Sequence, residues 1–171
     1  SKNTLTTIKN QFQTGTCWAF AALSCTESNL IQKGLENQNV QFSVPSLTLS
    51  TYANAGYDES IWDCGGTWMD SSLAMAAHRG LCYEEYEPFV SDGTEATIVS
   101  EEKKGVCEYQ LNYASTITGG RNAIKNKIKE LGGVMVSYYA DDLYMTFDNK
   151  SYYDPETTKY SGINHAVSVV G

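Results

Sequence analysis

The apolar positions of this chain keep one spacing in its first part and another near its end. Residues 1–16 are polar, with only Leu5, Ile8 and Phe12 as apolar anchors, and read as extended chain and loop. Residues 17–35 are rich in alanine and leucine and unbroken by glycine or proline until Gly34. That run predicts a largely buried helix beginning near Thr16 and stopping at Gly34. Alanine and leucine lose little freedom in a helix, and glycine readily takes the left-handed conformation that ends one. Residues 40–63 carry Pro45 and Gly56 and read as irregular. Gly65 and Gly66 lead into residues 67–79, where Met69, Leu73, Ala76 and Ala77 share one face of a second helix, ended by Gly80. Residues 84–105 read as an acidic loop. Ile124, Ile128 and Leu131 then recur at i, i+4 and i+7 with lysines between, which predicts a short amphipathic helix over 122–131 closed by Gly132 and Gly133. After it, β-branched and aromatic runs at 134–139 and 166–170 read as buried strands. Helices early and strands late predict an α+β fold of two lobes joined near Ser115: residues 1–114 mainly helical, residues 115–171 a partial β lobe.

Composition narrows the partners. The chain has 171 residues and a formal charge of −8 at pH 7. It is long enough to bury a core. Its acidic surface repels phosphate backbones, so nucleic acid is not an expected partner, and the plain reading of the acidity is solubility. The apolar stretches are too short to cross a bilayer, so no membrane partner is expected. No basic segment followed by an apolar run opens the chain, so no signal peptide is visible.

Five cysteines, Cys17, Cys25, Cys64, Cys82 and Cys107, leave one over if the others pair. None of the spacings is Cys-x-x-Cys, and both histidines lie apart from the cysteines in sequence, which argues against zinc; no metal or other cofactor is expected. One functional thiol with up to two disulfides is the economical reading, and it implies a secreted or lysosome- or vacuole-like compartment; four free buried thiols in a cytosolic protein are the alternative.

Cys17 falls at the predicted first turn of a helix. The first backbone N–H groups of a helix lack internal partners, and the macrodipole is positive there. A thiolate is stabilised at such a place, and the thiolate is the nucleophilic form. A histidine brought close would complete an activated pair. A buried structural cysteine is the plainer alternative.

The neighbouring residues favour the chemistry. Gln11, followed by Gly15-Thr16-Cys17-Trp18-Ala19-Phe20, resembles the signature of the papain-like cysteine peptidases: a glutamine, then Gly-Ser-Cys-Trp-Ala-Phe. Gln11 precedes Cys17 by six positions, as the family's oxyanion glutamine does. Asn164-His165-Ala166-Val167 resembles the family's histidine strand, Gly65-Gly66 the glycine pair that lines its cleft, and residues 81–89 its Tyr-Pro-Tyr turn. The resemblance runs in order over nearly the whole chain. It implies a two-lobed papain-like fold with a helical lobe and a truncated antiparallel β-barrel lobe. It implies a cysteine-type endopeptidase, with Cys17 attacking the peptide carbonyl, His165 passing the proton and Gln11 holding the oxyanion. It places Gly65, Gly66, Thr67, Trp68, Ser137, Ile163, Asn164 and Ala166 along the substrate. Peptide or protein substrates are the implied partners, with proteinaceous cysteine-protease inhibitors or a pro-segment beside them. It also implies a Cys64–Cys107 disulfide.

The sequence departs from the family in places. Phe12 stands where a glycine usually follows the oxyanion glutamine, which bears on the aim of Gln11; Gln13 is the fallback donor. Thr14 stands where a cysteine normally staples this loop. The family's orienting asparagine, in an Asn-Ser-Trp motif, would fall beyond Gly171, and Asn164 is no substitute because adjacent strand residues face opposite ways. The 171-residue chain alone is therefore expected to be weakly active or inactive. His78 reads as a helix-packing or solvent residue, Cys25 as packed or disulfide-bonded, and Asn149-Lys150-Ser151 as a glycosylation sequon. The other readings are an impaired homologue that binds peptides or a partner, and a thiol acyltransferase or transglutaminase-like enzyme, whose motifs do not include the Cys-Trp-Ala-Phe run.

Overall fold

The structure, a computed structural model, describes residues 3–12, 14–54, 80–89, 107–141 and 162–170. The elements in chain order are α1 (Cys17–Lys33), α2 (Val44–Asn54), β1 (Leu81–Cys82), β2 (Cys107–Tyr109), α3 (Gly120–Leu131), β3 (Gly133–Tyr138) and β4 (His165–Val170). The chain is α+β, as the sequence predicts, with its described strands paired antiparallel and its helices and strands alternating in groups along the chain. The second helix expected over 67–79 lies outside the described residues.

Among the described elements, helix α1 is the one the others pack around. It packs against β3 and β4 on one side and touches α2 and α3 on others. Trp18, Ala19, Ala21, Ala22 and Leu23 are all buried, so its first turns have almost no solvent face. That is why this segment lacks an amphipathic stripe. It ends as expected: Gly34 takes φ 72°, its N–H reaches the Ile31 carbonyl at 3.0 Å, and Leu35 N–H reaches the Leu30 carbonyl at 3.0 Å. Those two bonds form a Schellman cap.

Glu27 is a buried charge of α1, at 1% exposure. Its carboxylate accepts from Thr6 Oγ1 at 2.8 Å, Lys9 Nζ at 3.1 Å and the Phe42 backbone N–H at 2.9 Å. The N-terminal segment is thereby tied to the helix it precedes.

Helix α2 corrects the irregular reading of residues 40–63. Pro45 sits inside its first turn, where a missing N–H costs nothing, and Ser43 Oγ accepts from the Ser46 N–H at 3.0 Å as an N-cap. Proline there helps begin a helix and does not break one. The β1–β2 pair, also unanticipated, is antiparallel and extended by a bridge between Phe42 and Tyr83. Phe42 stacks on Tyr83 at 5.3 Å in the same core.

Helix α3 starts two residues before the amphipathic run that predicts it. Its end is pressed onto α1. Gly132 has φ 97°, and a Cβ there would lie 2.6 Å from the Ser28 carbonyl oxygen, so only glycine fits. Asn29 Nδ2 donates to the Leu131 carbonyl at 2.9 Å, and Gln32 Nε2 to the Lys129 carbonyl at 3.1 Å, so α1 side chains satisfy two of the last carbonyls of α3. This close approach starts β3 against α1. From there β3 pairs with β4 in unbroken antiparallel register, from Gly133 opposite Val170 to Tyr138 opposite His165.

Candidate functional site

Cys17 is the first residue of α1 and is half-buried. No side chain caps the helix start; the Thr16 hydroxyl bonds the Thr14 hydroxyl at 2.6 Å instead. The uncapped, positive end of a 17-residue helix therefore meets the thiol directly.

The loop that delivers Cys17 is held by hydrogen bonds. Thr14 is buried, its hydroxyl donates to the Gln11 carbonyl at 2.7 Å, and its N–H reaches the same carbonyl at 3.2 Å. Gln11 Nε2 donates to the Thr14 carbonyl at 2.8 Å. Two hydroxyls, Thr14 and Thr16, thus tie a loop that relatives of this pattern close with a disulfide. One of the two amide hydrogens of Gln11 is committed to this turn, and the other remains. Phe12 adopts φ 52°, the left-handed conformation in which glycine is at ease. The conformation suits the glycine of the family pattern, and Phe12 carries the strain.

His165 opens β4, directly opposite Tyr138. Their rings meet edge to face, with centroids 5.6 Å apart. Burial holds the His165 imidazole below the ordinary histidine range. The Tyr138 phenol is pushed upward, by burial first and then by electrostatic interaction with Cys17. Tyr138 therefore borders His165, and no hydrogen bond joins the Cys17 and His165 side chains among the described residues. The sequence motifs do not single out Tyr138. The signal that points to it is register: a strand starting at Gly133 and paired back with 165–170 puts Tyr138 on the histidine's rung.

The remaining expected residues are placed unevenly. Ser137 stands opposite Ala166, one rung from His165; Ala166 is buried and Ser137 half-buried. Ile163 is 69% exposed, so within the described residues it does not form part of a closed apolar pocket. The Asn164 carboxamide is occupied by the backbone: Ala140 N–H donates to Oδ1 at 2.6 Å and Nδ2 donates to the Ala140 carbonyl at 2.9 Å. It clasps the end of β3 and is not turned to a ligand. Gly65, Gly66, Thr67 and Trp68 lie outside the described residues, as do Gln13, His78, the Asn149 sequon and the expected pairing of Cys64 with Cys107. Gln11 and His165 both line a cavity of about 400 Å³, together with the 4–9 segment, Phe20 and Ala166.

Cys25, the alternative thiol on α1, is not in a disulfide. Its Sγ lies 3.2 Å from Ser168 Oγ, and burial pushes its pKa up to about 11, a hydrogen bond to Ser168 pulling weakly the other way. No cluster of metal-ligating side chains occurs among the described residues, and no described helix is long and apolar enough to cross a membrane.

Comparison with known proteins bears on all of this. The domain described as "Papain family cysteine protease" matches residues 1–171. Cathepsin K of Mus musculus is 27% identical over 171 residues, covering 99% of this chain and 48% of the relative. Procathepsin L of Rattus norvegicus is 27% identical over 179 residues, with 99% and 48% covered. Among solved structures, a clostridial cysteine protease after propeptide cleavage superposes with a TM-score of 0.77 at 26% identity, over 97% of this chain and 41% of that one. A digestive procathepsin L of Tenebrio molitor larval midgut shares the fold at a TM-score of 0.66 and 22% identity, over 98% and 52%. The chain spans about half the length of these relatives.

Proposed function

Because the chain belongs to the papain family of cysteine proteases, we propose that it carries the nucleophile and the proton-transfer group of a cysteine endopeptidase, Cys17 and His165. The observation that carries this reading is the position of Cys17 at the start of α1, which no side chain caps, with His165 on a strand packed against that same helix. In the reaction the Cys17 thiolate attacks the scissile carbonyl carbon. The carbonyl oxygen becomes an anion, for which the Cys17 backbone N–H and the uncommitted amide hydrogen of Gln11 are the donors. His165 delivers its proton to the leaving amine as the C–N bond breaks. Water then attacks the acyl-enzyme, giving up a proton to the imidazole and regenerating the thiol.

Ala166 and Ser137 supply one uncharged side of the substrate cleft. An unpaired charge buried there costs several kcal/mol, whereas an apolar side chain gains roughly 1.5–3 kcal/mol. Leu, Val or Phe is therefore favoured over Arg or Asp at the second substrate position before the scissile bond. Lobes meeting near Ser115, a removable pro-segment, proteinaceous inhibitors and a secreted or lysosome-like location belong to the same proposal; rat procathepsin L and the cleaved clostridial propeptide are its support for the pro-segment.

A second reading has its own observation. With no hydrogen bond between Cys17 and His165 among the described residues, and Gln11 partly engaged by Thr14, the chain could serve a homologue that binds peptides without cleaving them. Hydrolysis of a fluorogenic peptide by the full protein decides between the two. Wild type cleaves and both Cys17→Ala and His165→Ala lose cleavage if the peptidase reading holds; peptide binding without turnover in the wild type supports the binding module.

A further inference from the structure

We propose that Tyr138 is a positioning residue of this site, its ring fixing the plane of the His165 imidazole. This rests on the Cys17–His165 reading above and deepens it. An imidazole that must take a proton at one moment and release it at the next is useful in a narrow range of orientations, and rotation about its last side-chain bond is cheap unless something blocks it.

Tyr138 is built to block it. It is the direct cross-strand partner of His165. Its ring meets the imidazole at 66° with centroids 5.6 Å apart, the arrangement in which the positive edge of one ring faces the negative face of the other. A quarter turn of the imidazole would destroy that contact.

The support is itself held in place. Asn164 N–H donates to the Tyr138 carbonyl at 3.2 Å, and the Asn164 carboxamide grips both backbone groups of Ala140. At the other end of β3, Gly132 is pressed against Ser28 and sets where the strand begins. Tyr138 thus stands on a strand clamped at both ends, beside the histidine.

The test uses the full protein and a fluorogenic peptide. Tyr138→Leu removes the ring and is expected to lower kcat about tenfold while leaving KM within about twofold, and Tyr138→Phe, which keeps the ring, is expected to restore most of the loss. An unchanged kcat in Tyr138→Leu, a loss confined to KM, or a Tyr138→Phe variant as slow as Tyr138→Leu overturns the proposal. Should Tyr138→Leu not fold, the wild type still decides. Contacts between the Tyr138 and His165 ring protons, and a single slow-flipping imidazole environment in the NMR spectrum of selectively labelled protein, are expected. Their absence overturns it. Cys17→Ala and His165→Ala run alongside separate the two levels. If these retain turnover, the catalytic reading fails and the proposal with it; if they abolish turnover while Tyr138→Leu is silent, the proposal fails alone.

Discussion

Two cysteines ride on the same helix two turns apart, and they live in different chemistry. Cys17 begins α1, half-buried, at a helix end that no side chain caps. Cys25 lies within α1, its Sγ against the Ser168 hydroxyl, with burial pushing its pKa to about 11. The residue type is identical and the helix is the same. Both are half-buried, and the difference is one of place: one thiol stands at the helix start, the other within the helix against the Ser168 hydroxyl of β4. The open start of α1 is held by a hydroxyl-bonded loop. The buried stretch that follows Cys25, Glu27 and Ser28, serves packing: Glu27 anchors the N-terminal segment and Ser28 receives Gly132.

Substitutions in the two stretches should separate stability from chemistry. The largest effect is expected in the buried stretch. Glu27→Ala strands Lys9, the Thr6 hydroxyl and the Phe42 N–H, and should cost about 3–5 kcal/mol of folding stability in a denaturant titration. A loss below about 1 kcal/mol would show that this ion pair is not what ties the N-terminal segment down. At the open end the cost moves to the barrier. Gln11→Ala should lower turnover by about 10²–10³, equivalent to about 2.7–4 kcal/mol, with the lost bond to the Thr14 carbonyl costing about 1 kcal/mol of stability. An equal fall in stability would make Gln11 a structural residue of its loop.

A pH titration sharpens the comparison further. The folded-state pKa of Cys25 is raised from 9.0 to about 11. The folded protein then holds a proton that the unfolded chain releases, so this contribution is complete below pH 9 and disappears as pH climbs towards 11. Against a Cys25→Ala control, the wild type should lose roughly 2–3 kcal/mol more over that window. His165 has the opposite sign. Its pKa is lowered by burial, so its contribution is present above the ordinary histidine range and fades as pH falls below it. The smallest effect is expected at Phe12. With φ at 52°, Phe12→Gly should stabilise the loop by about 1 kcal/mol.

Much of this architecture is legible in the sequence. The alanine-rich run and Gly34 delimit α1, the spacing of Ile124, Ile128 and Leu131 marks α3, and β-branched runs mark β3 and β4. Cys17 and His165 stand out from the motifs around them, Gly-Thr-Cys-Trp-Ala-Phe and Asn-His-Ala-Val. What is not legible has physical reasons. Helix α2 is hidden because Pro45 has the look of a breaker, although Ser43 before it is a ready N-cap. The sequence shows that no glycine follows Gln11, but the left-handed conformation of Phe12 depends on the turn closed by Thr14. The role of Asn164 as a clasp on Ala140 depends on how two strands end, and that of Tyr138 on which residues share a rung. Contacts of this kind are set by register and are not written in any local run of residues.

The central claim is that place on α1, and not residue type, makes one of these thiols the nucleophile. The most direct measurement is competitive labelling of the full protein at pH 8 with an epoxysuccinyl peptide, read by mass-spectrometric mapping. At that pH a thiol like Cys25, with a pKa of about 11, is only about 0.1% thiolate. The account predicts an adduct on Cys17 with Cys25 unmodified, and loss of that adduct in His165→Ala. Labelling of Cys25 at a rate equal to Cys17, or undiminished labelling of Cys17 without His165, would contradict it.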